Sequence, residues 1–518
     1  MRPTMNIILA IAITAGIGLA SCTPKQNQDP VVETTAGKIS GSIDEGIYTF
    51  KGIPYARAER FMPPQDPDAW EGVLECNDFS PAARQIVPWI PDSSQNEQTL
   101  FSVNVWTQGL DDGKMRPVML WLHGGGFHVG SSNDPMTYGK AMAKKGDVVF
   151  VSVNHRLNIL GFLDLSACGP QYAQSANVGM LDIVKSLEWI QKNIEKFGGN
   201  PADVTILGES GGGGKVGTLM CMPSAKGMFH KAIIMSGTLL NGMTQEKSQA
   251  LGLAVLDTLG LTPDEAAKLN TIPYLDLVKA GNAAMAKISG PRRPGSPMMF
   301  GFSPSADGVV LVQQPFSPGF ADMSKEIPLM IGSTLNELIG TAYGEKELTL
   351  EQAKERLQKI HGDRTDQFIE AYAKAYPDHT PQDLLSIDTM FRPYTIRTAD
   401  AWSAESKAPV YAYLLTWKSP VDDASRGSFH GLDISLAFYN VDLRPDWTGN
   451  VEEAWAVSDK MSSAWLNFVK TGNPNVEGVL PAWEPYTREN GATMVFDNEC
   501  HIVNNHDREL MQMIVPLD

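Results

Sequence analysis

Gly208-Glu209-Ser210-Gly211-Gly212 is the stretch that decides the fold. It joins an apolar, β-rich run at 203–208 (DVTILG) to a segment at 211–222 that reads as a helix. A G-x-S-x-G sequence at a strand-to-helix junction makes a tight, strained turn. Glycines two residues before and two after the serine relieve crowding, so the hydroxyl points outward at the carboxyl edge of a sheet. The start of the helix behind it favours negative charge.

Working outward, strands and helices alternate. The runs 117–122 (PVMLWL) and 147–154 (DVVFVSVN) are nearly continuous in apolar residues, as strands buried on both faces should be. A helix is predicted over 178–197, with Met180, Ile183, Val184, Leu187, Ile190 and Ile194 at helical spacing and Gly198-Gly199 as its stop. Further strands are predicted at 231–236 (KAIIMS), 328–333 (PLMIGS) and 410–417 (VYAYLLTW). This alternation predicts an α/β fold, a mostly parallel central sheet covered by helices on both faces. The helical patterns at 244–287 and 348–376 read as excursions that wall a pocket.

Directly after the strand at 117–122 stands His123-Gly124-Gly125-Gly126-Phe127. Acyl transfer builds an oxyanion that backbone N–H groups must face, and consecutive glycines let the main chain come close enough.

Composition bounds the rest. The 518 residues are 43% hydrophobic and 19% charged, which is globular and excludes a disordered or fibrous chain. A net charge of −17 offers no basic face to a nucleic acid. At the N-terminus, Arg2 precedes an apolar run at 7–19 that is too short to span a bilayer and suits a secretory signal. It ends Leu19-Ala20-Ser21-Cys22, which resembles the bacterial lipobox. That resemblance implies a signal peptide over 1–21, lipid on the sulfur of Cys22 and a polar linker over 22–29, which leaves 30–518 as the folded domain. The protein is thus expected to be exported and held by its lipid on a membrane of the bacterial envelope. Cys76, Cys168, Cys221 and Cys500 are far apart, form no C-x-x-C, and are expected to be buried thiols.

The motifs together resemble the type-B carboxylesterases, the family of cholinesterases and para-nitrobenzyl esterases. The likeness runs from about 31 to 486 and is carried by 50–56 (FKGIPYA), 97–105 (EQTLFSVNV), HGGGF at 123–127, 154–163 (NHRLNILGFL), 177–182 (NVGMLD), 197–212 (FGGNPADVTILGESGG), and GNPN at 472–475 followed by Trp483. It implies the α/β-hydrolase fold and a serine carboxylic-ester hydrolase with no metal or organic cofactor. Ser210 is then the nucleophile. His430, in Phe429-His430-Gly431-Leu432-Asp433, matches the family's catalytic histidine segment. Glu337, just after the strand at 328–333, occupies the position of the catalytic glutamate. Chain order is then Ser…acid…His, as in α/β-hydrolases.

Gly125, Gly126 and Gly211 supply the oxyanion hole in this reading, and Glu209, Asp433 and Ser236 surround the triad. Met298 and Phe300 fall where the family places acyl-contact residues. The likeness also pairs Arg60 with Glu97 and Arg156 with Asp182.

There are departures. Gly211 replaces the usual alanine of the elbow. Thr99 and Ala83 stand where the family has a pair of cysteines, so the loop between them is expected to lack a disulfide and to leave the pocket rim open or rearranged. The expected partner is a small ester, and the sequence assigns no oligomeric state. Rival readings on the same machinery are an amidase, a carbamate hydrolase, or a polyester or natural-product esterase. A non-catalytic adhesion module, the rival from another class, would require a broken triad.

Overall fold

The computed structural model describes residues 30–238, 242–289, 301–317, 319–338 and 347–517. The expected signal peptide, Cys22 with the segment 22–29, and Met298 and Phe300 lie outside the described residues.

Eleven strands form the central sheet among the described residues. In chain order they are β1 (Ser42–Asp44), β2 (Ile47–Pro54), β3 (Ser102–Thr107), β4 (Arg116–Leu122), β5 (Val149–Val153), β6 (Gly199–Glu209), β7 (Lys231–Met235), β8 (Leu329–Thr334), β9 (Val410–Leu415), β10 (Ala492–Phe496) and β11 (His501–Asn504). Their spatial order is β11-β10-β9-β8-β7-β6-β4-β5-β3-β2-β1. The block from β10 to β5 is parallel, and antiparallel strands close both edges.

Side-chain alternation sends each central strand into two cores. Val118, Leu120 and Leu122 of β4 pack into one, Met119 and Trp121 into the other. The first core is covered by the helix Val178–Asn193 and by Gly211–Leu219, the second by Glu452–Thr471. Gly198, at φ 71°, caps the segment that follows Val178–Asn193, where the sequence placed the stop. The expected helical excursions form as Gln245–Thr258 and Tyr274–Ser289, and as Leu350–His361 and Thr365–Ala375.

The chain runs from β4 to β5 on one side of β4 and to β6 on the other, with Leu122 of β4 beside Gly208 of β6. This is a topological switch point, and sites in such sheets lie outside the carboxyl ends of the strands there. Both glycine-rich motifs leave the sheet at that spot.

The two ion pairs implied by the family likeness are present. Arg60 grips Glu97 with Nε and Nη2, at 2.6 and 2.7 Å. Arg156 holds Asp182 at 2.9 and 2.7 Å and donates to the carbonyls of Glu59 and Met62. Both members of the second pair are buried. Removing one partner strands a buried charge, so Asp182→Ala should lower the unfolding free energy by about 3–5 kcal/mol. A drop in the urea midpoint would register it.

No disulfide is needed to hold the loop after Ala83. Gln85 Nε2 donates to the Gly130 carbonyl at 2.9 Å and its Oε1 accepts from the Gly130 N–H at 2.8 Å. The Gln85 N–H donates to Gln95 Oε1, and Gln95 Nε2 to the Ile90 carbonyl. The loop is therefore folded back on the glycine-rich turn rather than left open. The cysteines at 76, 168, 221 and 500 are free thiols; Cys76 and Cys221 are buried as expected, whereas Cys168 and Cys500 are half-buried.

Candidate active site

Ser210 sits between β6 and the helix Gly211–Leu219 with φ 55° and ψ −123°. That is strained backbone for a residue with a side chain. The turn is held by the Ser210 N–H, which donates to the Met235 carbonyl at 2.8 Å. The flanking glycines are required by close approach. A Cβ at Gly208 would stand 2.4 Å from the Gly212 carbonyl carbon, and one at Gly212 would stand 2.0 Å from the Leu122 carbonyl oxygen.

Two strands over, Glu337 follows β8 at φ 47° and is buried. Its Oε1 accepts from Ser236 Oγ at 2.5 Å and from the Thr334 N–H at 2.7 Å. Its Oε2 meets His430 Nδ1. A carboxylate accepts only, so Nδ1 carries the proton and Nε2 is the titrating atom. The backbone joins the same pair, the His430 N–H donating to the Glu337 carbonyl at 3.1 Å. Phe391 stacks on the imidazole at 4.9 Å between centroids.

His430 Nε2 faces Glu209 Oε1 at 3.2 Å, an ion-pair contact without hydrogen-bond geometry. Among the described residues no hydrogen bond joins Ser210 Oγ to the ring. Catalytic hydrogen bonds are often loose before substrate binds. Asp433, also buried, accepts from the Tyr413 hydroxyl at 2.8 Å. Burial works against charge on His430, but the carboxylates of Glu209 and Glu337, with Asp433 behind them, outweigh it and hold its pKa above the ordinary histidine value. Burial likewise raises Glu209 and Asp433 above the ordinary carboxylate range.

The glycine-rich turn after β4 places Gly125 and Gly126, both at positive φ, against the start of the serine helix. A Cβ at Gly211 would stand 2.1 Å from the Gly126 carbonyl oxygen. The N–H groups of Gly125, Gly126 and Gly211 meet no protein acceptor among the described residues. Gly126 lies against Gly211 at the start of the serine helix, next to Ser210, and these donors are unspent.

The expected residues Ser210, Glu337, His430, Gly125, Gly126, Gly211, Glu209, Asp433 and Ser236 thus come together. Sequence reading passed over Phe391, which has no motif, and Lys215, whose signal was a lone lysine in an otherwise uncharged helix start.

A match to the Carboxylesterase family spans residues 28–513. The para-nitrobenzyl esterase of Bacillus subtilis (strain 168) is 33% identical over 505 residues, covering 94% of this chain and 98% of that protein. Phenmedipham hydrolase of Pseudarthrobacter oxydans is 29% identical over 499 residues, covering 91% and 95%. Among solved structures, an esterase from the anaerobe Clostridium hathewayi, described as able to hydrolyze aliphatic aromatic polyesters, aligns with a TM-score of 0.83 at 37% identity, covering 94% and 98%. The chain belongs to the carboxylesterase family and is a carboxylic ester hydrolase of the α/β-hydrolase fold.

Proposed function

We propose that hydrolysis runs through an acyl-enzyme on Ser210, with His430 as base and acid and Glu337 as its orienting carboxylate. The imidazole turns Nε2 from Glu209 to the serine, takes the hydroxyl proton, and the oxygen attacks the ester carbonyl. The oxyanion accepts from the N–H groups of Gly125, Gly126 and Gly211. The imidazolium then protonates the leaving alcohol, and a water that gives its proton to His430 releases the acid. The observation that supports this most is the chain Ser236–Glu337–His430, buried at Ser236 and Glu337 and half-buried at the imidazole, together with the strained Ser210.

Names of relatives, a para-nitrobenzyl esterase and an esterase acting on aliphatic aromatic polyesters, support neutral esters with an aromatic part as substrates. A panel of p-nitrophenyl esters of rising chain length, with matching anilides, tests the reading. Esters should turn over with a burst of one p-nitrophenol per active site. Anilides cleaved as fast as esters would make the protein an amidase instead.

Gly211 is where this chain departs from the family's alanine. Restoring the methyl would drive it into the Gly126 backbone, 2.1 Å from O and 2.4 Å from N. The glycine-rich turn would have to move, and a misplacement of about 1 Å can cost about 10²-fold. Gly211→Ala should therefore lower kcat by about that factor, read on a p-nitrophenyl ester.

The base must be neutral to act, so activity rises with pH as His430 loses its proton. With that pKa raised, the acidic limb of kcat/KM should lie above the unperturbed histidine value of about 6.5. Glu209→Gln removes one of the charges that favour the imidazolium, so the limb should move to lower pH while kcat falls. A limb that stays in place would limit Glu209 to a structural part of the elbow.

The lipobox-like Leu19-Ala20-Ser21-Cys22 supports a lipid anchor on Cys22, with 22–29 as tether to the enzyme domain at 30–518, on a membrane of the cell envelope. Cys22→Ser should release the enzyme from the membrane fraction at unchanged specific activity. Recovery of that variant with the membranes would refute the anchor.

A further inference from the structure

Four glycines, 211 to 214, form the first turn of the serine helix, and Lys215 follows them. A helical side chain leans toward the N-terminus and lies over the residue four before it, so Lys215 reaches back over Gly211. With no side chain in that turn, the loop 123–127 docks directly on it. Lys215 is fully buried. Its Nζ donates to the His123 carbonyl at 2.8 Å and to the Gly126 carbonyl at 3.1 Å. These are the two ends of the glycine run.

The remaining carbonyls of the run are held as well. Gly124 O accepts from His123 Nδ1 at 2.9 Å. Gly125 O accepts from the Val129 N–H at 3.1 Å and the His128 N–H at 3.3 Å. In a trans peptide the N–H points opposite to the C=O. Holding the Gly124 and Gly125 carbonyls therefore commits the N–H groups of Gly125 and Gly126 to the other side. Lys215 fixes the peptides on either flank, 123–124 and 126–127, so that the two donors between them cannot swing as a unit.

We propose that Lys215 is the positioning residue of the oxyanion hole: by clamping the His123 and Gly126 carbonyls it fixes the Gly125 and Gly126 N–H groups where the oxyanion forms. The inference rests on the reading of Ser210 as nucleophile. Burial pushes the Lys215 amine down to about 7, against the pull of Glu209. An unprotonated amine still has two N–H bonds, matching the two carbonyls it meets, so the clamp survives loss of the charge.

A trifluoromethyl ketone bound as its serine hemiketal engages the hole, whereas the parent methyl ketone engages only the pocket, so the pair separates positioning from general damage. Lys215→Met keeps the length and removes the donors. It should lower kcat by about 10²-fold at unchanged KM, and weaken the trifluoromethyl ketone by a similar factor while leaving the methyl ketone alone. Lys215→Gln, which retains N–H donors, should recover about tenfold of that loss, in the range of one hydrogen bond. Should the methionine variant not fold, the glutamine variant alone must still lose kcat at unchanged KM, or the inference fails. Unchanged kcat and trifluoromethyl ketone affinity in Lys215→Met, or equal weakening of both ketones, would overturn it. A wild-type enzyme that forms no hemiketal at Ser210 would overturn the serine reading itself, and this inference with it.

Discussion

Ser210→Ala, His430→Ala and the double variant should each lose activity by a similar factor, about 10⁴–10⁶ in kcat. The serine oxygen is a nucleophile only when its proton has somewhere to go, and the imidazole matters only if there is a serine to deprotonate. Once either is gone the other has no role, so the losses do not multiply. Residual catalysis of roughly 10³–10⁴ over water should remain, supplied by the oxyanion hole and binding. Steady-state kinetics on one p-nitrophenyl ester reads all three. A double variant that loses the product of the two single losses would show that the residues act separately.

Glu337→Gln should cost about 10⁴ in kcat at nearly unchanged stability. The reason lies in the partners of the two carboxylate oxygens. Oε1 accepts from the Thr334 N–H, an obligate donor, and from Ser236 Oγ. In the variant the amide must keep its oxygen there, because an NH₂ against that N–H would leave both unsatisfied. The NH₂ then falls at Oε2, facing His430 Nδ1. Nδ1 has to become the acceptor, the ring proton moves to Nε2, and Nε2 can no longer take a proton from serine. Thermal unfolding should show a folded protein, and kinetics an inactive one.

Much of this was legible in the sequence because the fold puts its chemistry at strand ends. The runs at 117–122, 203–208 and 328–333 announce buried parallel strands, and each is followed at once by a motif: the glycine turn, the elbow, Glu337. Apolar continuity marks a strand buried on both faces, and turn glycines mark where the backbone must pack closely. Edge strands carried no such mark. Ser42–Asp44 and His501–Asn504 are short and largely exposed, so their residues alternate with nothing and only the partner strand defines them. Phe391 reaches His430 through tertiary packing. Asp388 caps the backbone there, accepting from the N–H groups of Met390 and Phe391 at 2.8 and 2.9 Å, and this places the ring. Lys215 escaped notice because a lysine in a helix ordinarily faces water; its burial follows from four glycines that open a path to backbone carbonyls. The loss of both loop cysteines was visible, but not the hydrogen bonds of Gln85 and Gln95 that take their place.

The central claim, that Ser210 is the acyl-accepting nucleophile, is tested most directly by covalent trapping. The enzyme is titrated with paraoxon, and the modified peptide is located by mass spectrometry. One diethyl phosphate should appear on Ser210, its occupancy should track the loss of esterase activity one for one, and Ser210→Ala should take up none. Inactivation with Ser210 unmodified, or full activity with Ser210 fully phosphorylated, would contradict the account.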